Sequence, residues 1–306
     1  RRRADEMRQI RLDRRALSAA LTVGIAIGFA QMVPLMLLPI VFEYPLRYGT
    51  WWAVGAIAPF VIALLLAGPV SGVLLRRFGP RGILSVGTLA IGLANVLLAL
   101  IIWGINGWVR DYFTADPGAA RPVLDPLHYL LFIVPMIMIG AGFVVATVVR
   151  TAVVFATTPR GLPGSAAAIN EASVVLGSRI GIVVATTALA AAAIGSFRTM
   201  AERARSTEAE VTALVGEFEL MLRSLGTPRF RDAYGATLEG SDTLKGAAYM
   251  VAYLDGVTVA LIVSALVAIL GAVLAWILVG RRGPIETVFD MQDERPHPAE
   301  PAPADR

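Results

Sequence analysis

The 306-residue sequence has no cysteine and only two histidines. The first absence excludes disulfides and thiolate metal centres. The second leaves too few imidazoles for a zinc or haem ligand set, so neither metal nor cofactor is expected. Charge is scarce too: 16% of the residues are Asp, Glu, Lys or Arg, against 56% apolar. With a mean hydropathy of +0.68, that balance excludes an ordinary soluble globule and a disordered chain. The sequence also lacks a G-x-x-x-x-G-K loop, a metal-ligand cluster and a nucleophile with a paired base, which argues against an enzyme and against an ATP-driven pump. What it has is a set of long apolar runs with its 27 basic and 23 acidic residues gathered between them, the pattern expected when a bilayer is the solvent.

About 20 apolar residues in a helix cross the roughly 30 Å hydrocarbon layer. Six runs qualify, at about Ala16–Phe42, Thr50–Leu75, Gly82–Trp103, Leu127–Val149, Gly164–Ser196 and Asp255–Gly280. They are continuous and about twice as long as a tilted barrel strand requires, so the fold class read here is all-α integral membrane, a six-transmembrane-helix bundle. Residues 1–15 form a basic linker and 197–254 a long connection. Within that connection, apolar residues spaced by three and four (Val211, Leu214, Val215, Phe218, Met221, Leu222, Leu225) predict an amphipathic helix from about Thr199 to Leu225, stopped by Gly226 and Pro228. A second helix starts near Ser241 or Asp242 and runs toward the last span. The Pro-rich tail, 281–306, reads as disordered.

Arginines fix the expected orientation. Arg1, Arg2, Arg3, Arg8, Arg11, Arg14 and Arg15 precede the first span. Arg76, Arg77 and Arg81 fill the second-to-third turn, Arg150 and Arg160 flank the fourth-to-fifth, and Arg281 and Arg282 follow the sixth. With six alternating spans all lie on one side, which places both termini in the cytoplasm of a cell-membrane protein and the long connection outside. The same bias accounts for the net charge of +4, so no nucleic-acid partner is inferred from the basic N-terminus. Because the first residue is Arg1, not Met, the chain is expected to be a segment of a longer polypeptide.

The second-to-third turn reads Gly72-Val-Leu-Leu-Arg76-Arg77-Phe-Gly79-Pro-Arg81-Gly-Ile-Leu84. It resembles the loop motif of the major facilitator superfamily, G-x-L-a-D-r-x-G-r-k-x-x-l, with Arg76 in place of the acidic residue, as in the degenerate copy in the C-terminal half of such transporters. Glycines at both ends let the span tip approach a neighbour while the arginines sit at the headgroup level. The fifth span, Pro163-Gly164-Ser-Ala-Ala-Ala-Ile-Asn170-Glu171-Ala-Ser-Val-Val-Leu176-Gly177-Ser178-Arg179, resembles the penultimate span of the fourteen-span drug:proton antiporter family. There, small residues lead to an intramembrane carboxylate. The resemblance covers nearly the whole chain and matches spans nine to fourteen. It implies the C-terminal six-span half of a proton-driven exporter of lipophilic, often cationic, small molecules. The implied partners are a missing N-terminal half of the same polypeptide, the lipid bilayer, protons and a small lipophilic substrate.

The residues themselves single out Glu171. It lies about seven residues into its span, roughly 10 Å from the nearer end by helix rise. A charge at that depth costs about 2.5–3.5 kcal/mol, so the carboxylate must face the bundle interior or a wet cavity, or carry a proton. Competition between a proton and a cation for one carboxylate is the simplest form of antiport. The alternative is a structural ion pair, for instance with Arg179, about 12 Å further along the axis. Arg179 could equally bind an anionic substrate group or satisfy backbone carbonyls. Asn170 adjoins the carboxylate. Asn95, on a stripe with Thr88, Gly92 and Ala99, and Gln31, on one with Gly24, Gly28 and Pro34, are substrate-binding candidates whose other reading is helix packing. Asp255 sits at the outer end of its span, where a carboxylate is cheap and needs no function. The competing function is a non-transporting scaffold or sensor that acts through the outer loop.

Overall fold

The structure, a computed structural model, describes residues 2–43, 46, 50–115, 126–157, 163–204, 207–224 and 244–279. Their regular structure is entirely helical: α1 (Arg2–Glu43), α2 (Thr50–Gly55), α3 (Ala58–Ala115), a 3-10 segment (Pro126–Phe132) leading into α4 (Ile133–Thr157), α5 (Pro163–Arg203), α6 (Glu208–Ser224) and α7 (Leu244–Leu278). Five stretches are long and apolar enough to cross a membrane: Leu17–Glu43, Trp51–Asp111, His128–Thr157, Gly164–Arg203 and Ala247–Leu278. The count differs from six because α3 is continuous through the second-to-third turn. Its backbone still breaks there: Gly79 has φ 72° and ψ 166°, a left-handed value that glycine alone adopts cheaply, and Pro80 removes the next amide donor.

α1 lies at the centre, against α5, α7 and α4, while α3 packs along α4 and α7. Its apolar residues bury on more than one side: Ala19, Val23, Ile27, Ala30, Val33, Leu37 and Val41 follow one three-and-four register, with Leu38 and Phe42 beside it. Backbone proximity sets the α1–α5 crossing. A Cβ added at Gly28 would collide with the Val174 carbonyl, and one at Gly177 with the Ile25 carbonyl. The Gly24/Gly28 and Gly177/Gly181 pairs therefore serve packing inside the chain. Gly87 and Gly142 face each other across α3 and α4 in the same way.

The two ends of the bundle are built differently. At the Gly79 end, the Arg81 guanidinium lies 4.2 Å above the Trp276 ring and ties the bend to α7. At the α6 end, Phe197, Phe218 and Tyr249 stack into one aromatic cluster from α5, α6 and α7. The amphipathic helix expected from Thr199 to Leu225 is two helices. α5 runs on to Arg203, and α6 starts afresh at Glu208. The cause is a capping box: the Thr207 amide donates to Glu210 Oε2 at 2.8 Å, and the Glu210 amide donates back to Thr207 Oγ1 at 3.4 Å. α6 then buries Val211, Phe218, Met221 and Leu222. The basic side chains of 1–15, the Gly226–Pro228 stop, Arg160, Arg281, Arg282 and the tail from 281 lie outside the described residues and side chains.

The capping box makes α6 pH-sensitive. Hydrogen bonds from Thr207, first its amide and then its hydroxyl side, hold the Glu210 carboxyl below the ordinary carboxylate value. A depressed folded-state value adds stability that is complete above the unfolded carboxylate range and disappears as pH falls through the folded value. Amide-exchange protection across residues 208–212, corrected for intrinsic rates, should drop between neutral pH and about pH 3. In E210Q that pH dependence should vanish, and a protection profile equally pH-dependent in E210Q would contradict the assignment.

Candidate functional site

One cluster of polar residues lies where α4, α5 and α1 meet. Arg150 of α4 is fully buried, with 0% exposure. Its Nη1 donates to the Asn170 carbonyl and to Ser173 Oγ of α5, both at 2.7 Å. Asn170, 2% exposed, donates through Nδ2 to Thr151 Oγ1 at 3.1 Å and reaches Glu171 Oε1 at 3.5 Å. Gly24 of α1 completes the seat, because a Cβ there would press on Arg150 Nη1 and Ser173 Oγ. Ala20, Val153, Val154 and Ala166 form a small apolar cluster one turn away on the same three helices. A guanidinium in such a place must be supplied with acceptors by the protein. Nη1 is, but Nε and Nη2 have no hydrogen-bond partner among the described residues.

This overturns the sequence placement of Arg150 in the flank of the fourth-to-fifth turn. The span ending at Val149 continues to Thr157, so the arginine faces neighbouring helices two turns before the helix ends. The readable signal was the run Thr151-Ala-Val-Val-Phe-Ala156, apolar enough to extend the helix past the charge.

Glu171 is exposed, on a face of α5 that no other described helix covers; Ala167, Ala168, Val175 and Arg179 are exposed on that helix too. Arg179 makes no ion pair with Glu171 among the described residues, so the intrahelical pair is not formed. The uncovered face continues through Val183, 64% exposed, and the first arm of α3 presents Leu65, Leu66, Val70 and Val73 in the same way.

The other candidates are held apart from this cluster. Asn95 is buried on α3 and donates to the Ala30 carbonyl at 3.1 Å and to the Ile91 carbonyl at 2.9 Å. Ala30 is four residues before Pro34, whose missing amide leaves that carbonyl without its helical donor. Ser264 of α7 donates to the same oxygen at 3.2 Å. Asn95 thus repairs a proline defect and joins three helices, in line with the packing alternative of its two readings. Gln31 is half-buried on α1. Ser178 donates to the Gly28 carbonyl at 3.2 Å and so reinforces the α1–α5 crossing.

Asp255 is no idle interfacial carboxylate. α7 begins at Leu244, so Asp255 lies three turns inside it, where it accepts from Asn106 Nδ2 at 2.6 Å, from Arg110 at 3.1 Å and from Ser196 Oγ. It clasps α3, α5 and α7 at the α6 end. In the turn motif, Gly72 approaches nothing among the described residues within 4 Å of an added Cβ. Arg76 and Arg77 are exposed, Arg77 lying 5.4 Å from the Phe78 ring centre. Gly79, through its backbone, and Arg81, through Trp276, hold the fold there.

Compared with known proteins, the chain matches no family model and no curated protein sequence. Its function therefore rests on the geometry.

The Asn95 assignment predicts a coupling. Asn95→Ala strips a donor from the proline-freed carbonyl and should destabilise the protein by about 1–3 kcal/mol. In a Pro34→Ala background, where the helix supplies its own donor, the same change should cost clearly less. Thermal unfolding of the four proteins in detergent measures this, and equal costs in both backgrounds would refute the repair role.

Proposed function

We propose that this chain is the C-terminal six-span half of a transporter of the major facilitator type, akin to the fourteen-span drug:proton antiporters. In this reading it exports lipophilic, cationic small molecules across the cell membrane in exchange for protons, with both termini cytoplasmic. The observation that carries the reading is the position of Glu171: an acid within an apolar span, on a face of α5 that no other described helix covers, next to a buried polar cluster and, among the described residues, not tied into an ion pair. A carboxylate so placed binds either a proton or a cation, and the two compete.

Topology supports the same reading. The Trp51–Asp111 stretch has 61 residues, roughly 90 Å of helix at 1.5 Å per residue, three times the thickness of the hydrocarbon layer. A single crossing would leave most of that apolar length in water. Two crossings, hinged at Gly79 with Arg76, Arg77 and Arg81 at the headgroup level, satisfy it and give six spans. The exposed apolar faces of α5 and the first arm of α3 then suit a second bundle, with the substrate path between the two. The scaffold reading draws little support from the loop, since α6 turns its apolar side inward onto Phe197 and Tyr249.

In cells that express the polypeptide carrying this chain, proton-driven efflux of ethidium should fall roughly tenfold or more in Glu171→Gln at equal membrane abundance. Undiminished efflux in that variant would remove Glu171 from the mechanism.

A further inference from the structure

The Arg150 seat is only half used. Nη1 has two acceptors, whereas Nε and Nη2 are buried and have none among the described residues. Leaving two guanidinium nitrogens dry is expensive, and a chain that only needed to join α4 to α5 could do so with a smaller neutral donor. Among the described side chains, its surroundings contain one acid. α4 carries no ionisable residue besides Arg150, and α5 offers Glu171 and, two turns on, Arg179; its other charges, Arg198, Glu202 and Arg203, are at the far end. On α1 the described charged side chain is Glu43, at the end away from Gly24. α3 has Arg76, Arg77 and Arg81 at the Gly79 end and Arg110 and Asp111 at the other, and α7 has Asp255 toward the α6 end. Glu171 is also physically joined to the seat. Its Oε1 is 3.5 Å from the side chain of Asn170, whose carbonyl is 2.7 Å from Arg150 Nη1.

We propose that Arg150 is a tethered counter-cation for Glu171, whose carboxylate turns inward to take Nε and Nη2 when it has lost its proton. The structure has the guanidinium held back on Asn170 and Ser173 with Glu171 turned out. Proton binding to the carboxylate favours this arrangement, and proton loss favours the paired one. The arginine stays protonated throughout, so each switch moves one proton on or off Glu171 and nothing else. The tether acts as a built-in competitor: an external cation must displace Arg150 as well as the proton. This deepens the antiport reading and rests on it for its role, though not for its test.

The test reads protonation, not transport. In the whole polypeptide in lipid, the carboxylic-acid infrared band that is missing in Glu171→Gln reports protonated Glu171, and its amplitude is followed against pH. Loss of a nearby positive charge in Arg150→Gln should move that profile roughly one to two pH units upward, while Arg150→Lys stays near the parent. An unmoved profile in Arg150→Gln, or an equal displacement in Arg150→Lys, overturns the proposal. Should Arg150→Gln fail to accumulate as folded protein, the double variant R150Q/E171Q decides. Recovered folded yield supports the pairing, and no recovery overturns it. Normal efflux in Glu171→Gln would end the antiport reading and leave this pairing standing.

Discussion

A polar group in hydrocarbon has no water to fall back on, and this constraint organises the fold. A donor or acceptor taken into the bundle must find its partner in the protein, and where that partner sits on another helix the polar residue helps determine which helices meet. The Ala30 carbonyl, freed by Pro34, is met by Asn95 and Ser264, which draws α3 and α7 onto α1. The Asp255 carboxylate collects Asn106, Arg110 and Ser196, which locks α3, α5 and α7 at the α6 end. Arg150 takes the Asn170 carbonyl and Ser173 and binds α4 to α5 under Gly24. Apolar packing fills the space between these joints but does little to choose among neighbours, because lipid tails are as apolar as leucine.

Small residues make the joints possible. Gly28 and Gly177 let α1 and α5 approach to backbone contact, and Gly24 leaves room for a guanidinium where any side chain would press on it. The result is a centre that is tight around α1 and a periphery that is not. α5 and the first arm of α3 keep broad apolar faces open, and Glu171 stands on one of them. A chain that needed nothing beyond its own stability would have little reason to keep an acid there, given what a charge costs at that depth.

Much of this was legible in one dimension. Length and hydropathy locate the apolar helices, and Gly79-Pro80 marks the bend. The stripe of Asn95 with Thr88 and Gly92 pointed to packing as one of its two readings. What could not be read was anything that depends on a distant partner. Arg150 looks like a flank arginine because its burial requires a glycine on α1 and acceptors on α5. Asp255 looks cheap because its donors come from two other segments, α3 and α5, both distant in sequence. The α6 boundary was missed for a local reason: the apolar periodicity runs smoothly from Thr199 onward, and the Thr207–Glu210 box that restarts the helix is a short-range signal that a period count passes over.

The central claim is that Glu171 faces a water-accessible path and not lipid. A chain without cysteine is a ready background for asking this directly. In membranes containing the polypeptide that carries this chain, Glu171→Cys should react with a water-soluble quaternary-ammonium thiol reagent, and tetraphenylphosphonium should slow that reaction. If the introduced thiol is inert to the aqueous reagent and reacts only with a lipid-dissolved one, the acid faces the bilayer and the account is wrong.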